Sequence, residues 1–176
     1  MTTATTIAAP ASLCRTVPGP IGLLRLVSDG TAITELEMLD ASPSDGDTGA
    51  CPVLEQAIAE LEEYFAGKRR KFDVPLKPKG TEFQQRVWTQ LQGIPYGQTI
   101  SYRELATRVG DPKAVRAVGM ANGRNPIGLI IPCHRVIGAD GSLVGYSGGL
   151  DRKKALLALE QGSGSLSTGT NGPGKS

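Results

Sequence analysis

The eight residues Ile130-Ile131-Pro132-Cys133-His134-Arg135-Val136-Ile137 limit the possible folds of this chain more than any other stretch. They form an apolar run that carries a thiol, the chain's single imidazole and a guanidinium toward the interior, and buried polar groups require partners. Two readings fit. In one, Cys133 is a structural thiol beside a hydrogen-bonded histidine. In the other, the neighbouring cationic groups favour the thiolate, which is the nucleophilic form of cysteine. Consecutive side chains diverge on a strand or a helix, so Cys133 and His134 would cooperate through a bridging water or a bend in the backbone. The imidazole would also need a carboxylate to orient it, and Glu160, on the last helical segment, is one candidate.

A chain of 176 residues has room for one domain, or one domain with a small lobe, and can bury a core without covalent staples. No segment approaches the roughly 20 apolar residues of a membrane helix, and the opening MTTATTIAAPAS has neither the basic start nor the apolar centre of a leader. Cys14, Cys51 and Cys133 cannot all pair, and there is no C-x-x-C. A disulfide framework and a zinc knuckle are therefore unsupported, and a reducing, cytoplasmic setting is expected. The net charge of +2 conceals a division, because residues 1–63 carry two Lys/Arg against ten Asp/Glu, and the excess of Lys/Arg lies in the remainder. A basic part of this kind suits a polyanion such as nucleic acid, or is simply a solvated surface.

Residues 1–17 lack periodicity and residues 162–176 read GSGSLSTGTNGPGKS, so both are expected to be flexible tails flanking an N-terminal lobe over 18–78 and a C-terminal domain over 79–161. Leu23, Leu24, Leu26 and Val27, then Ile33, Leu36, Met38 and Leu39, read as two strands joined at Asp29-Gly30. After a linker from Ala41 to Pro52, the spacing of Leu54, Ile58, Leu61 and Phe65 predicts a helix over Val53–Ala66. The extended piece Phe72–Leu76 is expected to pair with the two strands. Thr81-Glu82-Phe83-Gln84 and Ser101-Tyr102-Arg103-Glu104 have the form of capping boxes, the first opening a helix that ends before Gly93 and the second a short helix that stops at Gly110. Asp111-Pro112 supplies an N-cap and a first-turn proline for a helix over Pro112–Asn122, and two short helices around a glycine turn suggest a helix-turn-helix unit. Its small residues Ala114, Ala117, Gly119 and Ala121 permit close approach to a partner or tight internal packing. A last helix is predicted over Leu150–Gln161, after the turn-rich Gly145-Tyr146-Ser147-Gly148-Gly149.

Taken in order, Ser101-Tyr102, Arg116-Ala117-Val118-Gly119, Asn125-Pro126, Pro132-Cys133-His134-Arg135-Val136 and Gly145-Tyr146-Ser147-Gly148-Gly149 closely resemble the O6-alkylguanine-DNA alkyltransferases, over about Pro18 to Gly162. The resemblance implies an α+β fold, with an RNase H-like N-terminal lobe built on a small antiparallel sheet and a helical C-terminal domain holding the helix-turn-helix. It implies direct reversal of DNA damage: an O6-alkylguanine, mainly O6-methylguanine and by extension O4-methylthymine, is flipped from the duplex and its alkyl group moved irreversibly to the protein's own cysteine, once per molecule. On this resemblance Cys133 is the acceptor, His134 the base acting through a water, Glu160 the carboxylate that orients it, Tyr102 a donor to guanine N3, and Asn125 the hinge of the active-site turn. Arg116 replaces the flipped nucleotide in the stack, while Ala114, Val115, Ala117 and Gly119 present a slim helix to the minor groove. Val136, Leu143, Gly145, Tyr146 and Ser147 line the alkylguanine pocket with Cys133.

The implied partner is double-stranded DNA bound by a monomer, with scope for cooperative binding, and no cofactor or membrane is implied. Some relatives hold zinc through N-terminal cysteine and histidine ligands, but with His134 the only histidine no metal is expected here. The run Ala155-Leu156-Leu157-Ala158-Leu159-Glu160 departs from the Trp-Leu-Leu and penultimate His of many relatives, which alters packing and keeps the carboxylate. Two rival readings remain: a lesion binder without transferase activity, against which Cys133 argues, and a helix-turn-helix regulator, which would prefer one operator by roughly 10³-fold or more.

Overall fold

Three strands, Leu13–Gly19 (β1), Gly22–Ser28 (β2) and Ile33–Leu39 (β3), form an antiparallel meander in the computed structural model, which describes residues 12–44 and 46–162. β1 corrects the expectation of a flexible tail over 1–17. Residues 13–17 pair with β2 from Leu13 opposite Ser28 onward, across a tight turn in which Gly19 faces Gly22, and Cys14 is buried. The lobe therefore starts at Leu13, while residues 1–11 and 163–176 of the expected tails lie outside the described residues.

The turn between β2 and β3 is closed by Asp29, whose Oδ1 accepts from the Thr31 and Ala32 amides at 2.9 and 3.0 Å. β3 would be an open edge, but segments from both parts of the chain close it. The Ile33 amide donates to the Pro75 carbonyl at 2.8 Å, and the Leu36 amide to the Pro126 carbonyl at 2.9 Å. Of the expected extended piece Phe72–Leu76, only Leu76 pairs, in a parallel bridge with Ile33.

Helix α1, Pro52–Phe65, lays Leu54, Ala57, Leu61, Tyr64 and Phe65 against the sheet, and full burial of each large side chain is worth about 1.5–3 kcal/mol. Buried Glu60 accepts from the Asp73 amide at 2.6 Å and the Val74 amide at 3.1 Å, which straps the following segment back onto the helix.

The C-terminal part holds α2 (Glu82–Gln92), α3 (Tyr102–Val109), α4 (Val115–Gly123) and α5 (Leu150–Glu160), with two-residue strands β4 (Ile100–Ser101) and β5 (Val136–Ile137) paired in parallel. Both halves of the Thr81 capping box form. Only one half of the second does: Ser101 Oγ accepts from the Glu104 amide, but the Glu104 carboxylate turns to Arg108 at 2.8 Å. The helix expected over Pro112–Asn122 starts later, at Val115, because Asp111 accepts from the Lys113 amide and folds Pro112-Lys113 into a turn. Gly110 ends α3 at φ +100, a conformation that disfavours a side chain. Trp88 on α2 donates its indole N–H to the Ala121 carbonyl of α4 at 2.9 Å, and one apolar core runs through both parts, from Leu24 and Leu61 to Leu105, Val118 and Leu156. Among the described residues no helix is long and apolar enough to cross a membrane.

Candidate active site

The apolar run that constrains the fold bends into one 3₁₀ turn, Cys133–Arg135, and all three of its side chains are buried. The turn sits against the end of α5, where Glu160 supplies the carboxylate the run requires. Glu160 Oε2 accepts from His134 Nε2 at 2.7 Å, Oε1 accepts from Arg135 Nε at 2.7 Å, and Arg135 Nη2 lies 3.0 Å from Oε2. Tyr64, on α1 of the N-terminal lobe, donates to the same Oε2 at 2.6 Å. Burial would push the Glu160 carboxyl up, but the donors from His134 and Arg135 outweigh it and hold it at about 2. An ionised Glu160 makes Nε2 the protonated nitrogen of His134. Burial keeps the ring neutral by lowering its pKa against the pull of Glu160, and Nδ1 is left as a lone-pair acceptor with no partner among the described residues.

Cys133 is 2% exposed, and burial raises its thiol pKa, while the Asn125 amide and the Lys153 charge act in the opposite direction. Asn125 clamps the preceding turn, donating to the Ile131 carbonyl at 2.8 Å and accepting from the Ile127 amide at 3.0 Å. Asn122, fully buried at the end of α4, donates to the Cys133 carbonyl at 3.3 Å and leaves its own Oδ1 unpartnered among the described residues. Lys153 is buried as well, and its ammonium donates to the Val136 carbonyl at 2.6 Å and the Val144 carbonyl at 2.8 Å. It thereby joins β5 to the loop that follows. The Tyr102 hydroxyl donates to the Val144 carbonyl too, at 2.9 Å. The 3₁₀ turn thus carries a buried thiol, acted on by the Asn125 amide and the Lys153 charge, and next to it in sequence a neutral imidazole with a free lone pair, a set of groups suited to deprotonating a thiol for attack on carbon.

Residues 82–162 match the model of the 6-O-methylguanine DNA methyltransferase DNA-binding domain, and residues 13–78 match that of the 6-O-methylguanine DNA methyltransferase ribonuclease-like domain. The methylated-DNA–protein-cysteine methyltransferase of Mycolicibacterium paratuberculosis is 52% identical over 150 residues, 84% of this chain and 91% of that protein. The chain belongs to the 6-O-methylguanine DNA methyltransferase family. A crystal structure of Mycobacterium tuberculosis OGT in complex with DNA superposes with a TM-score of 0.80 at 50% identity, covering 86% of this chain and 94% of that one. The O6-methylguanine DNA methyltransferase of Methanococcus jannaschii gives 0.64 at 28% identity, over 92% and 99%.

Within this methyltransferase fold the residues singled out in the sequence fall into two groups. Cys133, His134, Glu160, Asn125 and Tyr102 converge as described. Arg116 and Ala117 lie on the exposed face of α4 with Val115, and Arg116 has no hydrogen bond or ion pair among the described residues. Ala114 is the N-cap of α4 and not part of the helix, and Gly119 lies against the Tyr102 ring, which a Cβ would meet at 3.7 Å. Val136 is buried, Tyr146 and Leu143 are half-buried, and Gly145 and Ser147 are exposed on the loop beside Val144.

Three members of the site were not read from the sequence. Lys153 lies seven residues before Glu160, one heptad along the same face of α5, which would have marked it as inward-facing despite its charge. Tyr64 lies three residues after Leu61 on the buried face of α1, where a hydroxyl requires a partner. Asn122 carries no comparable signal.

Proposed function

We propose that the chain repairs O6-alkylguanine in duplex DNA by accepting the alkyl group on Cys133 Sγ. The observation that carries this reading is the state of His134: bonded through Nε2 to an ionised Glu160, it keeps Nδ1 without a partner among the described residues, one residue along the chain from a buried thiol. The thiol proton passes to Nδ1, through a water, as sulfur attacks the alkyl carbon. The S–C bond forms as the C–O6 bond breaks, and its electron pair leaves with the guanine, which takes up a proton to become ordinary guanine. The thioether is chemically inert, so each molecule reacts once.

Donors on the leaving base lower the barrier. Tyr102 serves guanine N3 after exchanging its bond to Val144, the Cys133 and Val136 carbonyls receive the exocyclic amine, and Ser147 faces O6, with Leu143, Gly145 and Tyr146 around the base. Flipping costs a few kcal/mol, which Arg116 offsets by filling the vacated place, while the slim face of Ala114, Val115, Ala117 and Gly119 enters the minor groove. O4-methylthymine is a second substrate of the same site. The protein acts as a monomer in the cytoplasm and can bind DNA cooperatively.

Intact-protein mass spectrometry with peptide mapping tests the reading, using a duplex with one O6-methylguanine beside an unmodified duplex. A stoichiometric, lesion-dependent gain of one methyl on Cys133 is expected. No gain by folded protein, with the lesion intact, would reject it. Cys133→Ala should lose transfer and retain lesion binding in a gel-shift titration.

A further inference from the structure

Glu160 has two oxygens and more donors than a histidine-orienting carboxylate needs. Arg135 occupies Oε1 at 2.7 Å and reaches Oε2 at 3.0 Å; His134 Nε2 lies 2.7 Å from Oε2. The remaining donor is the Tyr64 hydroxyl, 2.6 Å from Oε2, which arrives from another lobe of the protein, 96 residues away in sequence. Tyr64 is fully buried, and its ring is held by Phe65 at 5.3 Å, Phe72 at 5.4 Å and Tyr96 at 6.1 Å between centroids. Its hydroxyl has no hydrogen-bond partner other than Glu160 among the described residues, and a buried hydroxyl is costly unless it is satisfied.

We propose that Tyr64 is a positioning residue of the transfer site: its hydroxyl occupies part of Glu160 Oε2 and so limits how strongly that oxygen draws on the His134 ring. This rests on the reading of His134 as the base for Cys133. A carboxylate oxygen that accepts from Tyr64 has less electron density to offer Nε2–H. Without the hydroxyl, Glu160 attracts the imidazolium more strongly, and the histidine binds a proton on Nδ1 at higher pH. A protonated Nδ1 cannot accept the thiol proton. The N-terminal lobe thus helps keep the base of the other domain neutral and free.

The charged and titratable groups around the ring come from every neighbouring element. Cys133 and Arg135 lie on the 3₁₀ turn, Lys153 and Glu160 on α5, and Tyr64 on α1. Tyr96 faces Tyr64 and the Arg135 guanidinium, with Arg70 also over its ring at 5.4 Å. Of the two tyrosines among them, Tyr64 is the one whose hydroxyl bonds Glu160, and Tyr64→Phe removes that polar atom while keeping the ring. Its own ionisation does not intervene, because burial and the Glu160 charge push its pKa far up.

The single histidine makes the test direct, since every imidazole NMR signal of the protein belongs to His134. In Tyr64→Phe the protonated fraction of His134 should reach its midpoint about 0.5–1 pH unit higher than in the unaltered protein, as expected when the loss of one charged hydrogen bond on Glu160 is partly transmitted to the ring. The acid limb of the single-turnover rate on O6-methylguanine duplex should move with it. Phe65→Leu loosens the same aromatic packing and keeps the hydroxyl, so it should lower the melting temperature and leave the titration in place. Equal titrations of the unaltered protein and Tyr64→Phe overturn the proposal, as does an equal shift in Phe65→Leu. Should Tyr64→Phe not fold, the unaltered protein still decides: the buried hydroxyl proton should give a downfield resonance with a cross-peak to the His134 Nε2 proton, and its absence overturns the proposal. A protein that transfers no alkyl group at any pH would reject the functional reading, while the titration would still report on the coupling.

Discussion

Lys153 and Glu160 share one face of α5, a buried cation and a buried anion that do not pair with each other. Each serves a different part of the site. The Lys153 ammonium donates to two carbonyls, so Lys153→Met, which keeps the length of the side chain, should remove the lysine donor from the Val136 oxygen and leave the Val144 oxygen with the Tyr102 hydroxyl alone. The expected cost is about 1–3 kcal/mol per buried group left unsatisfied, read by urea unfolding, together with a slower single-turnover rate as the loop wall loosens. Glu160→Gln should cost about 3–5 kcal/mol, because it strands the Arg135 guanidinium in the interior without its counter-ion. The roles of Cys133 and His134 came from the family resemblance, but the pair was legible as a candidate because a thiol and an imidazole in an apolar run demand a reason, and Glu160 as one possible carboxylate, which the structure does bring to His134. Lys153 was not, because a lysine beside Arg152 and Lys154 reads as surface charge until the helix phase is known.

At the level of the elements, the outer face of α4 decides what the helix-turn-helix unit can enter. A Cβ at Gly119 would make only ordinary contact with the Tyr102 ring, and alanine favours a helix over glycine by about 1 kcal/mol. Gly119→Ala should therefore raise the melting temperature slightly; a simultaneous loss of duplex affinity, by fluorescence anisotropy, is expected if this face enters a narrow groove. Gly110→Ala should act in the opposite sense, costing about 1 kcal/mol at φ +100. Local chemistry was legible where one motif had one use. Thr81 with Gln84 capped α2 as predicted, and Leu54 through Phe65 gave α1 its buried face. It misled where a side chain had a competing partner: Glu104 preferred Arg108 to its capping role, and Asp111 spent its carboxylate on a turn. β1 was missed because seven residues interrupted by Pro18 carry little periodicity alone and become a strand only against β2.

Taken whole, the molecule joins two family domains through polar contacts as well as a common core. Arg152 on α5 donates to the Ile21 carbonyl at 2.7 Å and to the Asp40 carboxylate at 2.6 Å, and Tyr64 reaches Glu160. Because the folded state holds Glu160 at about 2, below its usual 4.5, the unfolded chain binds more protons between those values. Stability should accordingly be lost as pH falls from about 4.5 toward 2, by about 3 kcal/mol, and buried neutral His134 adds a loss of the same sign below its ordinary range. Urea unfolding at successive pH values checks this, and Glu160→Gln should flatten the acid limb. The near-complete enclosure of the Cys133 sulfur carries one more implication. A carbon acquired there must be housed inside the fold, and enlarging a packed interior by a methyl typically costs about 1–3 kcal/mol. Reacted molecules should then melt earlier than unreacted ones, so that a mixed population unfolds in two steps whose proportions record how many lesions it has met.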